Sequence, residues 1–426
     1  MSTKEVREKE LFDSGVLDDE FFIEIVSKKL NITRDDFKIR LVLINPATGE
    51  NENFVSIVYR AKINIEILAS KERKFVDVII KVMLTNTLEQ EEFSLFSREI
   101  LLYEVLIPSF ENIWKERTNK NVKFGPQCLK VTTKPYEIIV LDDLKAEGYE
   151  MMNRKIGLDV HQTKLVLSKL AEFHAASAIC YLKDGEISKQ LDRTHGIDEF
   201  LTDDDPYNEA FARTLEEFKK VVREIEGLEK ESKIIDLWKP EVMIKSFLIS
   251  AEPMKCGFKC LNHGDNWVNN LMFKIDENCE TISTKLIDFQ LSYWGSPIGD
   301  LFYFLFTSVE DDVKVDGFDE LIEHYHSELS DFLKELSFDG HIPTLSELQS
   351  ELTDKKEYGL SMMLEVMCIV KYNSNEKFTI DMIMDPNKLN QAIFDRIFRN
   401  KSYIKCIKTL LPFLYKRGFL GNPTGN

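Results

Sequence analysis

The sequence predicts an α+β protein, with an antiparallel sheet near the N-terminus and a mainly helical remainder. Three strand-like runs, residues 37–44, 54–67 and 75–83, follow one another early in the chain. The second alternates, with Val55, Ile57, Tyr59, Ala61, Ile63 and Ile65 on one side. From Asp159 onward apolar residues recur instead at helical spacing. Among those helices, residues 261–289 concentrate acids, amides and a histidine between short apolar runs.

Composition bounds what such a chain does. With 426 residues it is long enough for two or three domains, and one bilobal enzyme fits equally well. Hydrophobic residues make up 43%, enough to fill a substantial core. A formal net charge of -18 argues against nucleic-acid binding, which needs clustered Lys and Arg. The seven scattered cysteines are odd in number and suggest a reducing compartment rather than a disulfide framework. Cys256, Cys260 and His263 hint at zinc, but no second nearby Cys or His pair completes four ligands. The charged start MSTKEVREKELFDSG lacks the apolar segment of a secretory signal, and no run reads as long enough to cross a bilayer. The expectation is a soluble cytoplasmic protein without a membrane span.

The elements follow in order. Residues 18–30 open with acids and space Phe22, Ile25, Val26 and Leu30 as an amphipathic helix. Between the first two strands, NPATGENENF reads as a turn, with Gly49 its one glycine. The third strand carries Lys81 inside an apolar run, either buried with a partner or facing solvent on an alternate position. A helical stretch then sets Glu99 beside the apolar Phe96, Leu102, Tyr103 and Leu106, with Glu91 and Glu92 as competing acids. Residues 130–133 and 137–141 read as two more strands around a KPY turn, and EIIVLDDL shifts from apolar to acidic.

Residues 159–182 read as a long helix in which a lone His174 is a packed, hydrogen-bonded histidine rather than a metal ligand. Helical patterns continue over 207–225 and 229–250, and resume over 313–336, 344–372, 387–396 and 402–417. SPIGDLFYFLFTS starts another helix, with Ser296 as cap and Pro297 in the first turn. Asp300 near that start has a local explanation in the helix dipole.

The chemistry concentrates in CLNHGDNWVNNLMFK and TKLIDFQ. His263, Asp265, Asn270 and Asp288 follow the order H-x-D-x-x-x-x-N and then Asp at the end of an apolar run. Phosphoryl transfer needs a carboxylate to orient the attacking hydroxyl and metal ions to neutralise the phosphate oxygens. Asp265 suits the first task. Asn270 and Asp288 offer the hard oxygen ligands that magnesium prefers, together with phosphate oxygens and water. Taken singly, Asp265 or Asn270 would read as turn residues satisfying local backbone. The ordered set with Asp288 meets the base and metal requirements together.

HGDNWVNN followed by IDFQ resembles the ecdysteroid-kinase-like (CHK-type) family, within the choline kinase and aminoglycoside phosphotransferase superfamily. The resemblance implies a bilobal, protein-kinase-like fold with an ATP-binding lobe over 1–141 and a helical lobe over 142–426 that holds the catalytic loop and acceptor pocket. It implies that Lys81 contacts the α- and β-phosphates of ATP, that Glu99 holds it, and that the backbone from Val140 to Asp142 meets adenine. The turn around Gly49 would cover the phosphates, though it is no G-x-G-x-x-G loop. In this superfamily an acid in the region of Asp300 tethers the catalytic loop, a reading that stands beside the dipole.

A protein kinase is disfavoured, because Gly264 replaces the Arg before the catalytic Asp, Gln290 ends the D-F-G position, and no A-P-E follows. The expected activity is therefore ATP- and Mg2+-dependent transfer to a hydroxylated small molecule by a monomer. The resemblance implies as acceptor a lipophilic alcohol such as an ecdysteroid or a xenobiotic, with choline or ethanolamine as the alternative. Trp267, Tyr293, Trp294, Phe302, Tyr303 and Phe306 either line such a pocket or fill the core. A non-catalytic nucleotide-binding protein of the same fold is the other class.

Overall fold

The computed structural model describes residues 11–47, 56–83, 95–183, 191, 206–372 and 390–421. The turn around Gly49 and the acids Glu91 and Glu92 lie outside the described residues. The chain forms two compact units, Met1–Pro108 with Gly125–Glu150, and Ser109–Phe124 with Met151–Asn426.

In the first unit, α1 (Asp19–Leu30) is capped by the Asp18 carboxylate, which accepts from the Phe21 amide at 2.8 Å. Three strands follow, β1 (Phe37–Pro46), β2 (Ser56–Ile67) and β3 (Arg73–Met83). After α2 (Leu95–Leu101) come β4 (Cys128–Thr132) and β5 (Ile138–Asp142). The sheet is antiparallel in the order β1-β2-β3-β5-β4. Alternation along β2 and β3 turns Ile57, Tyr59, Ala61, Val76, Val78 and Ile80 to one face, where Phe22, Ile25 and Val26 of α1 cover them. Lys81, one residue out of step with that set, belongs to the other face.

The second unit is built on α3 (Val160–Lys183), which packs against α7 (Phe318–Glu335). Contrary to the sequence reading, this 24-residue helix is long and apolar enough to cross a bilayer, but 67% of its apolar window is buried inside the protein. Its place is that of a core helix. The expected helix over 229–250 is instead broken, with Glu229–Ile235 ending before α4 (Pro240–Ala251), whose first residue is proline. Proline lacks the amide that would continue the preceding turn.

Two short strand pairs position the acid-rich stretch. Strand β6 (Cys260–Asn262) pairs with β9 (Tyr293–Gly295), and β7 (Leu271–Ile275) pairs with β8 (Thr281–Leu286). Behind them runs the buried α6 (Ile298–Ser308), with α5 (Val268–Asn270) a single 3₁₀ turn. Ser296 is not the cap as expected. Pro297 holds that position, although the Ser296 hydroxyl still accepts from the Ile298 amide at 3.4 Å. Beyond it, α7 and α8 (Leu345–Asp354) frame the far side, and none of the seven cysteines forms a disulfide among the described residues.

Candidate active site

The buried lysine of β3 has the partner its surroundings require. Lys81 Nζ lies 2.5 Å from Glu99 Oε2, and both residues are buried. The strand fixes the lysine opposite Val58 and Ile139, and α2 brings the glutamate to it. Val140 pairs with Ile80 on one side and Lys130 on the other, and its side chain packs in the core on the face away from Lys81. The Asp142 carboxylate is held by Lys29 at 2.7 Å, and its amide donates to the Gln127 carbonyl at 3.0 Å. These two side chains therefore serve the packing of α1 on the sheet. Asp143 is likewise engaged, by Arg60.

In the second unit the backbone brings three separated segments to one place. The β7–β8 hairpin pairs Leu271 with Leu286, which sets Asn270 beside Ile287, whose amide donates to the Asn270 carbonyl at 3.0 Å. His263 closes the third side. Its Nε2 donates to the Ile287 carbonyl at 3.0 Å, while its Nδ1 accepts the Asp265 amide at 3.2 Å. That pair of bonds requires the neutral ring with its proton on Nε2. Burial depresses the protonation of His263, consistent with a neutral imidazole packed at a tilt against the Phe289 ring, 4.8 Å between centroids. Asp265, Asn270 and Asp288 thus come together at one end of the hairpin.

Their side chains are oriented for different work. Asn270 Nδ2 donates to both the Asp265 carbonyl and its Oδ2, each at 2.8 Å. This commits the amide nitrogen and leaves Oδ1 as the atom able to ligate a hard cation. Tyr303 donates its hydroxyl to the other carboxylate oxygen of Asp265. Burial, and then the adjacent carboxylate, raise the Tyr303 hydroxyl well above its ordinary value, so it remains a donor. Asp288 sits at φ 65°, in the left-handed region. That conformation costs a non-glycine residue about 1–2 kcal/mol and persists where surrounding structure imposes it, often at functional sites. One carboxylate, that of Asp288, and one amide oxygen, Asn270 Oδ1, fit magnesium, which takes hard oxygen ligands and completes its shell with phosphate oxygens and water.

The loop itself hangs on Asp300. Its Oδ2 accepts the His263 amide at 2.7 Å and its Oδ1 the Gly264 amide at 2.9 Å. His174 Nε2 donates to Oδ2 at 3.1 Å, and Tyr325 meets the other ring nitrogen at 2.7 Å. Asp300 is fully buried in the first turn of α6, and its own amide donates to Asn262 Oδ1 at 3.0 Å. The geometry thus gives Asp300 the tethering role, and gives His174 the packed, hydrogen-bonded one. Gly264 is needed where it stands: at φ 80° a Cβ would meet the Leu291 carbonyl oxygen at 2.1 Å.

The zinc set suggested by Cys256, Cys260 and His263 does not assemble. Cys260 is buried with its thiol toward the Gly295 carbonyl, and both nitrogens of His263 are engaged as described. Sequence reasoning placed Tyr303 among candidate pocket or core aromatics and missed its bond to Asp265. The helical spacing of an aromatic-rich run carries no sign of such a contact.

Sheet, helical unit and paired lysine place the chain in the protein-kinase-like class, α+β and bilobal. Within that class it belongs to the ecdysteroid kinase-like family, whose model matches residues 50–338. No curated protein matches the sequence.

Proposed function

We propose that this protein is an ATP- and magnesium-dependent kinase that transfers the γ-phosphoryl group to the hydroxyl of a lipophilic alcohol, an ecdysteroid or a xenobiotic. The observation that carries the reading is the meeting of Asp265, Asn270 and Asp288 at one hairpin end, with the Asp265 carboxylate held by Asn270 and Tyr303. Asp265 orients the acceptor hydroxyl and takes its proton, a task that a carboxylate fixed by two donors performs without first reorganising. Asn270 Oδ1 and Asp288 would hold magnesium, which neutralises charge on the transferring group when bound. Lys81, fixed by Glu99, serves the α- and β-phosphates. Membership of the ecdysteroid kinase-like family supports the choice of a small-molecule acceptor.

The test is transfer of label from γ-labelled ATP to a panel of hydroxylated steroids, xenobiotic alcohols, choline and ethanolamine. Magnesium-dependent labelling of a steroid or xenobiotic alcohol is expected. Labelling of choline or ethanolamine alone would overturn the acceptor class. No labelling of any member, with ATP bound, would point to a nucleotide-binding protein without turnover.

A further inference from the structure

The cysteine left over from the sequence reading has other partners. Cys256 sits in a tight turn in which the Gly257 amide donates to the Met254 carbonyl at 2.7 Å and the Met254 amide to the Phe258 carbonyl at 2.9 Å. Gly257, at φ 85°, supplies the left-handed residue that this turn needs. The turn lies along α8, because the Lys255 amide donates to Glu351 Oε2 at 3.3 Å and Lys255 Nζ pairs with Asp354 at 2.7 Å. One helical turn before Glu351 is Glu347, whose carboxylate caps the start of α8 by accepting the Thr344 amide at 2.7 Å. It also accepts His341 Nε2 at 2.9 Å. The Phe258 and Phe338 rings, 6.0 Å apart, hold the two segments together from beneath.

The result is a cluster that no phosphotransfer role uses. Cys256 Sγ, a ring nitrogen of His341 and a carboxylate oxygen of Glu347 all lie within 4.8 Å of one another. A cleft of about 210 Å³ opens onto Cys256 and Glu347, with Ser350 and Glu351 on its wall. Tetrahedral zinc with sulfur, nitrogen and oxygen ligands needs donor atoms separated by roughly 3.3–3.7 Å. The observed cluster reaches that with small side-chain movements. Carboxylates of Glu347, Glu351 and Asp354 outnumber the ammoniums of Lys255 and Lys355 here, so the surroundings favour a cation.

We propose that Cys256, His341 and Glu347 bind a divalent transition-metal ion of the zinc type, through sulfur, nitrogen and oxygen, with water from the cleft as fourth ligand. A thiolate and an imidazole select such an ion over magnesium or calcium. The ion clips the turn before β6, four residues ahead of Cys260, to the start of α8. It thereby steadies the strand that leads into His263 and Asp265.

The test uses the full chain and zinc alone, titrated against a chromophoric chelator. The intact protein is expected to take up one equivalent more than a Cys256→Ser/His341→Ala double variant, and each single variant to bind that equivalent more than about tenfold more weakly. Cobalt should give a thiolate charge-transfer band that Cys256→Ser removes. Zinc should also slow alkylation of Cys256 in the unaltered protein, followed by peptide mass, a readout that requires no variant to fold. Equal zinc uptake by the intact protein and the double variant, or alkylation of Cys256 unaffected by zinc, would overturn the site.

Discussion

Replacing Asp265 by Asn is expected to lower phosphoryl transfer by about 10²–10⁴-fold, the range a positioned acid or base contributes, with magnesium-ATP binding nearly unchanged. The substitution is close to isosteric. One of the two donors that hold the carboxylate, Asn270 Nδ2 or the Tyr303 hydroxyl, will face a new amide group, and Tyr303 can turn its hydroxyl to accept from it. The loop should therefore keep its shape, since its other supports are backbone amides bound to Asp300 and His263. What is lost is the capacity to take a proton. Rates measured with the best acceptor from the panel, beside nucleotide binding by calorimetry, separate the two. Near-normal turnover by this variant would remove Asp265 from the role of base.

The second large effect falls on stability. Asp300→Asn is expected to destabilise the second unit by about 3–5 kcal/mol, the cost of breaking a buried charge cluster by altering one partner. All three groups that approach the Asp300 carboxylate are donors: the His263 and Gly264 amides and His174 Nε2. An asparagine nitrogen must point at one of them, leaving two donors opposed in a fully buried site. Because the same bonds hold His263 and Gly264, activity should fall with stability. Equilibrium denaturation in urea reads the first and labelled transfer the second. A denaturation midpoint equal to that of the unaltered protein would show that the tether is not what fixes the loop.

How much of this was legible in the sequence depended on how local each signal is. Alternation along β2 exposed the sheet, and a single lysine among apolar residues left a choice between a buried pair and a solvent face, which Glu99 from the next helix decides for the pair. The order of Asp265, Asn270 and Asp288 was readable because a short hairpin brings them together. The two readings of Asp300, helix dipole and tether, could not be separated from sequence, since the deciding partners lie more than thirty residues upstream in β6's loop and in α3. Val140 lies on the expected strand and Asp142 extends it by one residue, but the face each side chain takes depends on register, a property of the pairing. Cys256, His341 and Glu347 come from segments joined only in the folded chain, so no spacing rule reveals them.

Asn270 and Asp288 are proposed to ligate a divalent ion beside bound ATP. Manganese, which takes the same oxygen ligands as magnesium and is visible by electron paramagnetic resonance, measures it directly. Titrated into protein with saturating ATP, it should bind the unaltered chain and bind Asp288→Asn at least about tenfold more weakly. Identical manganese isotherms and spectra for the two proteins would contradict the account.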